Sequence, residues 1–254
     1  MTESKKDLQG KVALVTGAAR NMGRAFTEAL AQRGANLIIH HHSESSAEEA
    51  SELARRARAL GVEAMVFQGD LSKVERVEAL FRDGIAHFGR LDIVINNAGV
   101  VLKKSFADVT EADFDRVFGI NTKAAFFVMR EAARAIEDGG RIINMGTTLL
   151  GATTGMYGVY AGSKAPLEDF SRALAKEIGA RGITVNTVAP GPVDTAFFHG
   201  EENEQSVAYL SQQSPLGRLG RVSDITPLIE FLVSEESAWV TAQTLFINGG
   251  FLAR

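Results

Sequence analysis

Tyr160 and Lys164 stand four residues apart in YGVYAGSK, residues 157–164. In a helix that spacing puts both side chains on one face. An ammonium beside a phenol favours the phenolate, so the tyrosine is expected below its ordinary pKa of about 10. A phenol tuned in this way gives a proton to an oxygen that is gaining negative charge, which is general acid catalysis. Tyr157 has Ala161 at its own i+4 position. The reading is therefore Tyr160 as the acid and Tyr157 as a pocket wall.

A second group of residues is suited to phosphate. In TGAARNMGRA, residues 16–25, Gly17 falls at a turn and Gly23 at a helix start. Two glycines there let backbone amides approach a pyrophosphate at the positive end of the helix. Asn21 lies between them and tolerates the left-handed conformation better than most residues. Arg20 offers a guanidinium to a further phosphate. In HHHSESS, residues 40–46, the strand ends in His40, His41 and His42, which offer no carboxylate for a ribose 2′-hydroxyl, the partner expected in a dinucleotide fold that selects NAD; Ser43 offers a hydroxyl. His40, His41 and His42 are neighbours on one strand and so alternate between faces, and no cysteine or carboxylate converges on them. No metal site is expected. His41, His42 and Ser43 are expected as polar lining around a 2′-phosphate or as plain loop.

These residues need elements to carry them. Short, nearly continuously apolar runs at 11–16, 35–40, 63–68, 91–96, 141–146, 183–189 and 243–248 read as strands, in the manner of parallel strands covered on both faces. Helical segments lie between them at 22–33, 46–60, 73–88, 111–136 with a break near Gly119, 157–179 and 223–234. Such alternation predicts an α/β fold: a doubly wound, mostly parallel, seven-stranded sheet with helices on both faces, in a single domain. Ligands then bind beyond the carboxyl ends of the strands, where the quoted motifs fall. Residues 1–10 read as an N-terminal extension and 11–254 as the domain. The stretch 190–222 lacks a strand and is long enough to be functional or to hide a helix; a lid is expected over about 195–220.

Composition narrows the function classes. The 254 residues include 45% apolar residues and no cysteine, which excludes disulfides, thiolate metal sites and cysteine nucleophiles and suits a reducing compartment. The charged N-terminus is not a secretory signal, and no apolar run approaches a bilayer span. A net charge of −4 gives no electrostatic reason to expect nucleic acid or an anionic membrane surface. A cytoplasmic location is expected.

The motifs together resemble the short-chain dehydrogenase/reductase family over essentially the whole chain, from Lys11 to about Gly250. The resemblance implies a Rossmann-like fold and rests on TGAARNMG, with Asn21 in place of the middle glycine, NNAG at 96–99, YxxxK at 160–164 and PGPVDT at 190–195. It implies cofactor contacts from Gly17, Arg20, Asn21, Met22, Gly23, Asp70, Leu71, Asn97, Ala98, Gly99, Tyr160, Lys164, Pro190, Gly191, Val193 and Thr195. Asp70 is equally readable as part of a helix start. A basic residue at the first turn and no acid at the end of the second strand imply NADP(H) in preference to NAD(H). Thr147, thirteen residues before Tyr160, stands where the family carries a carbonyl-binding serine, and Thr148 takes that place if the register differs by one. Asn121 is the family's proton-relay asparagine or a polar residue at a helix interruption. The family's usual assembly implies a homotetramer.

The resemblance implies hydride transfer from the cofactor to a small carbonyl substrate, with Tyr160, Lys164, Thr147 and Asn121 as the catalytic set. Val101, Leu102, Thr148, Leu149, Leu150, Tyr157, Phe197 and Phe198 make an apolar pocket suited to a cyclic or aryl ketone, although Phe197 and Phe198 read equally as packing for a lid helix. Glu201, Glu202 and Glu204 either repel an anionic substrate or face solvent. Two alternatives stand beside this reading. One is a 3-oxoacyl-carrier-protein reductase, which needs basic residues for an acidic carrier; Arg172 and Arg181 are the candidates, set against Glu137 and Asp138. The other is a catalytically silent NADP(H)-binding sensor or scaffold.

Overall fold

The computed structural model describes residues 6–152 and 154–253. Seven strands form one sheet: β1 (Val12–Val15), β2 (Asn36–His41), β3 (Ala64–Gln68), β4 (Ile93–Asn96), β5 (Arg141–Met145), β6 (Thr184–Pro190) and β7 (Thr244–Ile247). Their order is β3-β2-β1-β4-β5-β6-β7, and every pairing is parallel. The order reverses direction between β1 and β4, the switch point at which a doubly wound sheet opens a crevice.

The apolar runs are explained by burial on both faces. Within β1, Val12 and Leu14 join the core on one side of the sheet, while Ala13 and Val15 join the core on the other. Alternate side chains thus enter different layers. The covering helices are α1 (Asn21–Gln32), α2 (Ala47–Ala59), α3 (Val74–Phe88), α4 (Glu111–Phe118), α5 (Ala125–Ala135), α6 (Gly158–Lys164), α7 (Pro166–Ile178), α8 (Ala196–His199), α9 (Glu204–Gln213) and α10 (Val222–Leu232).

Two irregularities matter for the site. The break expected near Gly119 is a π-helical turn, Gly119–Ala124, between α4 and α5, and it buries Asn121 completely. Such turns re-aim side chains that a continuous helix would direct elsewhere. The strandless stretch after β6 holds α8 and α9, and Val193 forms an isolated bridge with Gly220. At the N-terminus, residues 1–5 of the expected extension lie outside the described residues. From Asp7 onward the chain is packed against the domain: Leu8 is buried, and Arg33 holds the Asp7 carboxylate at 2.6 and 2.9 Å. Among the described residues, no helix is long and apolar enough to cross a membrane.

Candidate active site

The turn after β1 is shaped by its backbone. Gly17 and Asn21 have φ of 64° and 49°, so the asparagine adopts the left-handed conformation that its place in the motif demands. A Cβ on Gly23 would lie 2.1 Å from the Gly17 carbonyl oxygen, and any side chain there would force the turn apart. Two long-range devices hold it. The Thr16 hydroxyl accepts hydrogen bonds from the amides of Asn97 and Ala98, both at 2.9 Å. Asn97 returns its side-chain amide to the carbonyls of Thr16 and Gly17 at 3.0 and 3.2 Å.

His40 supplies the other device. Its Nδ1 accepts from the Gly17 amide at 3.0 Å, and Nε2 then donates to the Gly69 carbonyl at 2.9 Å. Burial, partly opposed by the hydrogen bond to Gly69, pushes its pKa down to about 4. The ring is therefore neutral near pH 7 and ties the first turn to the end of β3.

The neighbouring residues divide differently from expectation. His41 is buried and its Nδ1 lies 3.1 Å from the Ser43 carbonyl and 3.3 Å from the Ser46 hydroxyl, so it organises the loop rather than lining an open site. His42 is exposed, 3.9 Å from Asp70, and Ser43 meets Ser45. Among the described residues, no group of three His, Cys, Asp or Glu side chains is placed to hold a metal. Asp70 accepts from the Ser72 amide at 3.0 Å, and α3 begins after Lys73 without a side-chain cap. Leu71 is buried among the core residues.

These residues fit a dinucleotide phosphate. Arg20 precedes α1 and makes no side-chain cap, which leaves the first-turn amides for an anion. Its exposed guanidinium pairs with Glu49 at 2.6 Å and donates to the Ser45 carbonyl.

The second cluster lies beyond β4 and β5. Tyr160 is 8% exposed, and Thr147 stands near enough to its phenol to favour the ionised form. Thr148 is turned to β6, donating to the Ala189 carbonyl at 3.2 Å. The geometry therefore places Thr147, not Thr148, beside the phenol. Lys164 is buried, and its ammonium donates to the Met145 carbonyl at 2.8 Å. A Cβ on Gly99 would lie 3.2 Å from both that ammonium and Asn121 Oδ1, so glycine keeps this corner open. Asn121 accepts from the Val100 amide at 2.9 Å and donates to the Val100 carbonyl at 2.8 Å. It also donates to Ser163 at 2.9 Å, whose hydroxyl donates to the Tyr160 carbonyl at 2.7 Å.

The ionisation differs from the sequence expectation. Burial pushes Tyr160 up to about 12, partly offset by the nearby Thr147 hydroxyl. Burial also draws Lys164 down to about 8. In the protein alone desolvation sets the direction for both groups, and the Lys164 ammonium is committed to the Met145 carbonyl.

One cavity of about 640 Å³ opens onto Thr147 and Tyr160, while Lys164 and Asn121 are not among its lining residues. It is lined by Thr147, Tyr157 and Tyr160, by Met22, Pro190, Gly191, Val193 and Thr195, and by the expected walls Val101, Thr148, Leu149, Phe197 and Phe198. Leu102 and Leu150 are not among its lining residues. Thr195 caps α8 by accepting from the Phe198 amide. The lid carboxylates depart from expectation: Glu202 neither faces solvent nor stands unneutralised, because its side chain is 1% exposed and paired with Lys103. Thr16, His40, Ser163 and Lys103 were not singled out by their spacing, since each acts through partners distant in the chain.

Residues 17–252 match the family model described as enoyl-(acyl carrier protein) reductase. The chain is 40% identical to the short chain dehydrogenase/reductase nsrJ of Aspergillus novofumigatus, over 96% of each. It is also 40% identical to the trihydroxynaphthalene reductase PfmaI of Pestalotiopsis fici, over 95% of this chain and 89% of that one. A Burkholderia cenocepacia protein crystallised with bound NADP superposes with a TM-score of 0.95 at 43% identity, covering 98% of this chain and 96% of that one. Sheet order, site geometry and these similarities agree, and the chain belongs to the short-chain dehydrogenase/reductase family.

Proposed function

We propose that this protein is an NADPH-dependent reductase of cyclic or aryl ketones. The observation that carries the reading is that Tyr160 and Thr147 line one largely apolar cavity together, with Lys164 buried one helical turn beyond Tyr160. The Burkholderia cenocepacia structure holds NADP, and the Pestalotiopsis fici relative is named a reductase of a hydroxylated naphthalene; both support it. Arg20 would meet the 2′-phosphate, the turn at Gly17–Gly23 the pyrophosphate, and Thr195 with the 190–193 backbone the nicotinamide end. Asp70, Leu71 and the 97–99 bend would flank the rest of the cofactor, with His42 and Ser43 near the 2′-phosphate.

Bound NADPH supplies the hydride that reduces the carbonyl carbon. Thr147 and Tyr160 hold the carbonyl oxygen by hydrogen bonds. Charge gathers on that oxygen as the carbon is reduced, and the Tyr160 hydroxyl releases its proton to it, giving the alcohol. Lys164 stabilises the resulting phenolate with its positive charge. Asn121, fixed by Val100 and Ser163, holds the route by which Tyr160 is reprotonated. The buried, neutral state of Tyr160 suits this direction, because the group must carry its proton until the oxygen needs it.

The 3-oxoacyl-carrier-protein alternative draws support from the description of the family model. It is disfavoured by charge, since each arginine suited to an acidic carrier has an acid beside it that would repel the carrier: Asp169 at 2.7 Å from Arg172 and Asp138 at 2.7 Å from Arg181. A homotetramer in the cytoplasm completes the proposal. Phe114 and Phe126 are exposed on one helical face, and Phe231 and Trp239 near the C-terminus; two apolar faces suit two kinds of subunit contact. The test is oxidation of NADPH and NADH by the purified protein with aryl, cyclic and 3-oxoacyl ketones. Turnover with NADPH on ring ketones is expected. Turnover confined to 3-oxoacyl thioesters would move the assignment to the alternative, and cofactor binding without any turnover would favour a sensor.

A further inference from the structure

The lid is fastened by charge rather than by apolar contact. Neither α8 nor α9 contributes a buried residue, yet Glu202 between them has a side chain only 1% exposed. Its carboxylate accepts hydrogen bonds from the Tyr157 hydroxyl and the Lys103 ammonium. The Lys103 amide donates in turn to Glu201 at 2.9 Å, and its ammonium lies 5.8 Å from the centre of the Tyr157 ring. Three segments far apart in sequence thus meet at one carboxylate: the loop after β4, the start of α6 and the lid. Withdrawing a carboxylate from water is costly unless it is paired and hydrogen-bonded. Glu202 therefore stays buried only while the lid rests on Lys103 and Tyr157. None of these residues belongs to the proton-transfer set, but all line the same cavity, and the Tyr157 ring stands 6.2 Å from that of Tyr160.

We propose that Glu202 is a specificity-determining residue: by latching the lid to Lys103 and Tyr157 it closes the cavity on that side, admitting compact ring ketones and excluding ketones that trail a long chain. This rests on the reductase reading and adds to it a limit on substrate shape. An elongated substrate has to leave the cavity somewhere, and the latch spans the gap between the lid and the loop after β4.

The test compares a methoxytetralone with the decyloxytetralone substituted at the same ring position, the same reacting ketone with a short and a long chain, on the wild type, Glu202→Gln and Lys103→Met. The ratio of kcat/KM for the compact over the long ketone should fall at least about tenfold in both variants, with the rate on the long ketone rising in absolute terms. Loosened structure alone would lower both rates. A ratio within about twofold of wild type, or one that falls only because the compact ketone is lost, overturns the proposal. Amide hydrogen exchange over 203–213 in the NADPH-bound protein gives a reading independent of turnover, and should be at least about tenfold faster in the variants. If the wild type reduces neither ketone, the reductase reading falls and the latch is judged on exchange, where an unchanged lid overturns it and a faster one upholds it.

Discussion

Lys164 is buried with its ammonium on the Met145 carbonyl, and burial draws its pKa down to about 8. Tyr160, pushed up to about 12, holds its proton throughout the neutral range. The group that changes state in an ordinary assay window is therefore the lysine. Below about pH 8 it is charged and supports phenolate formation; above that it loses its proton and its support. The rate of ketone reduction should be level below about pH 8 and decline above it. In Lys164→Arg, whose guanidinium stays charged, the decline should disappear even if the rate is lower. Steady-state kcat/KM profiles check this, and a wild-type profile flat to pH 10 would contradict it. At this scale the sequence was informative about identity and misleading about magnitude. Residues four apart on a helix announced the pair, but the desolvation that dominates both groups depends on burial that no local spacing reveals.

The turn after β1 and the bend after β4 behave as one element, since Thr16 and Asn97 bond across 81 positions of sequence. His40 adds a third tether, 23 positions from Gly17. Its role depends on being neutral, because a protonated ring has no lone pair for the Gly17 amide. The folded pKa of about 4 lies below the ordinary 6.5, so the unfolded chain binds more protons between those values. Stability from this group is complete above about pH 6.5 and is lost as the pH falls toward 4. The full loss is about 3 kcal/mol by linkage. Denaturant unfolding at pH 7, 5.5 and 4.5 should show a steeper acid loss in the wild type than in His40→Asn; equal slopes would sink the idea. Strands, helices and the Gly-Asn-Gly turn were legible because each is written in contiguous residues. The tethers were not, because Thr16, just past β1, and His40, within β2, are ordinary residues until the sheet order brings their partners beside them. Glu202 is the clearest case: an acidic run reads as solvated, and its partners lie 45 and 99 positions away.

On the scale of the molecule, the large apolar side chains left exposed among the described residues include Phe114 and Phe126 on one face and Phe231 and Trp239 toward the C-terminus. Phe126 packs edge-on against Phe170 at 5.1 Å, between α5 and α7, and Phe114 stacks on Phe118 at 4.2 Å on α4. Trp239 is 99% exposed. If both faces bury subunit contacts, Phe126→Asp and Trp239→Glu should each reduce the molar mass seen by light scattering, from a tetramer to a dimer, and the double substitution should give monomers. A monomeric wild type would refute the assembly. The proposed chemistry depends above all on Tyr160 as the proton donor of a carbonyl reduction. The most direct measurement is single-turnover oxidation of bound NADPH by a bicyclic aryl ketone, in the wild type and in Tyr160→Phe, which removes one oxygen from a buried ring. The account predicts a fall of about 10²–10⁴-fold in the variant with NADPH affinity retained. A Tyr160→Phe protein that reduces the ketone at the wild-type rate would contradict it.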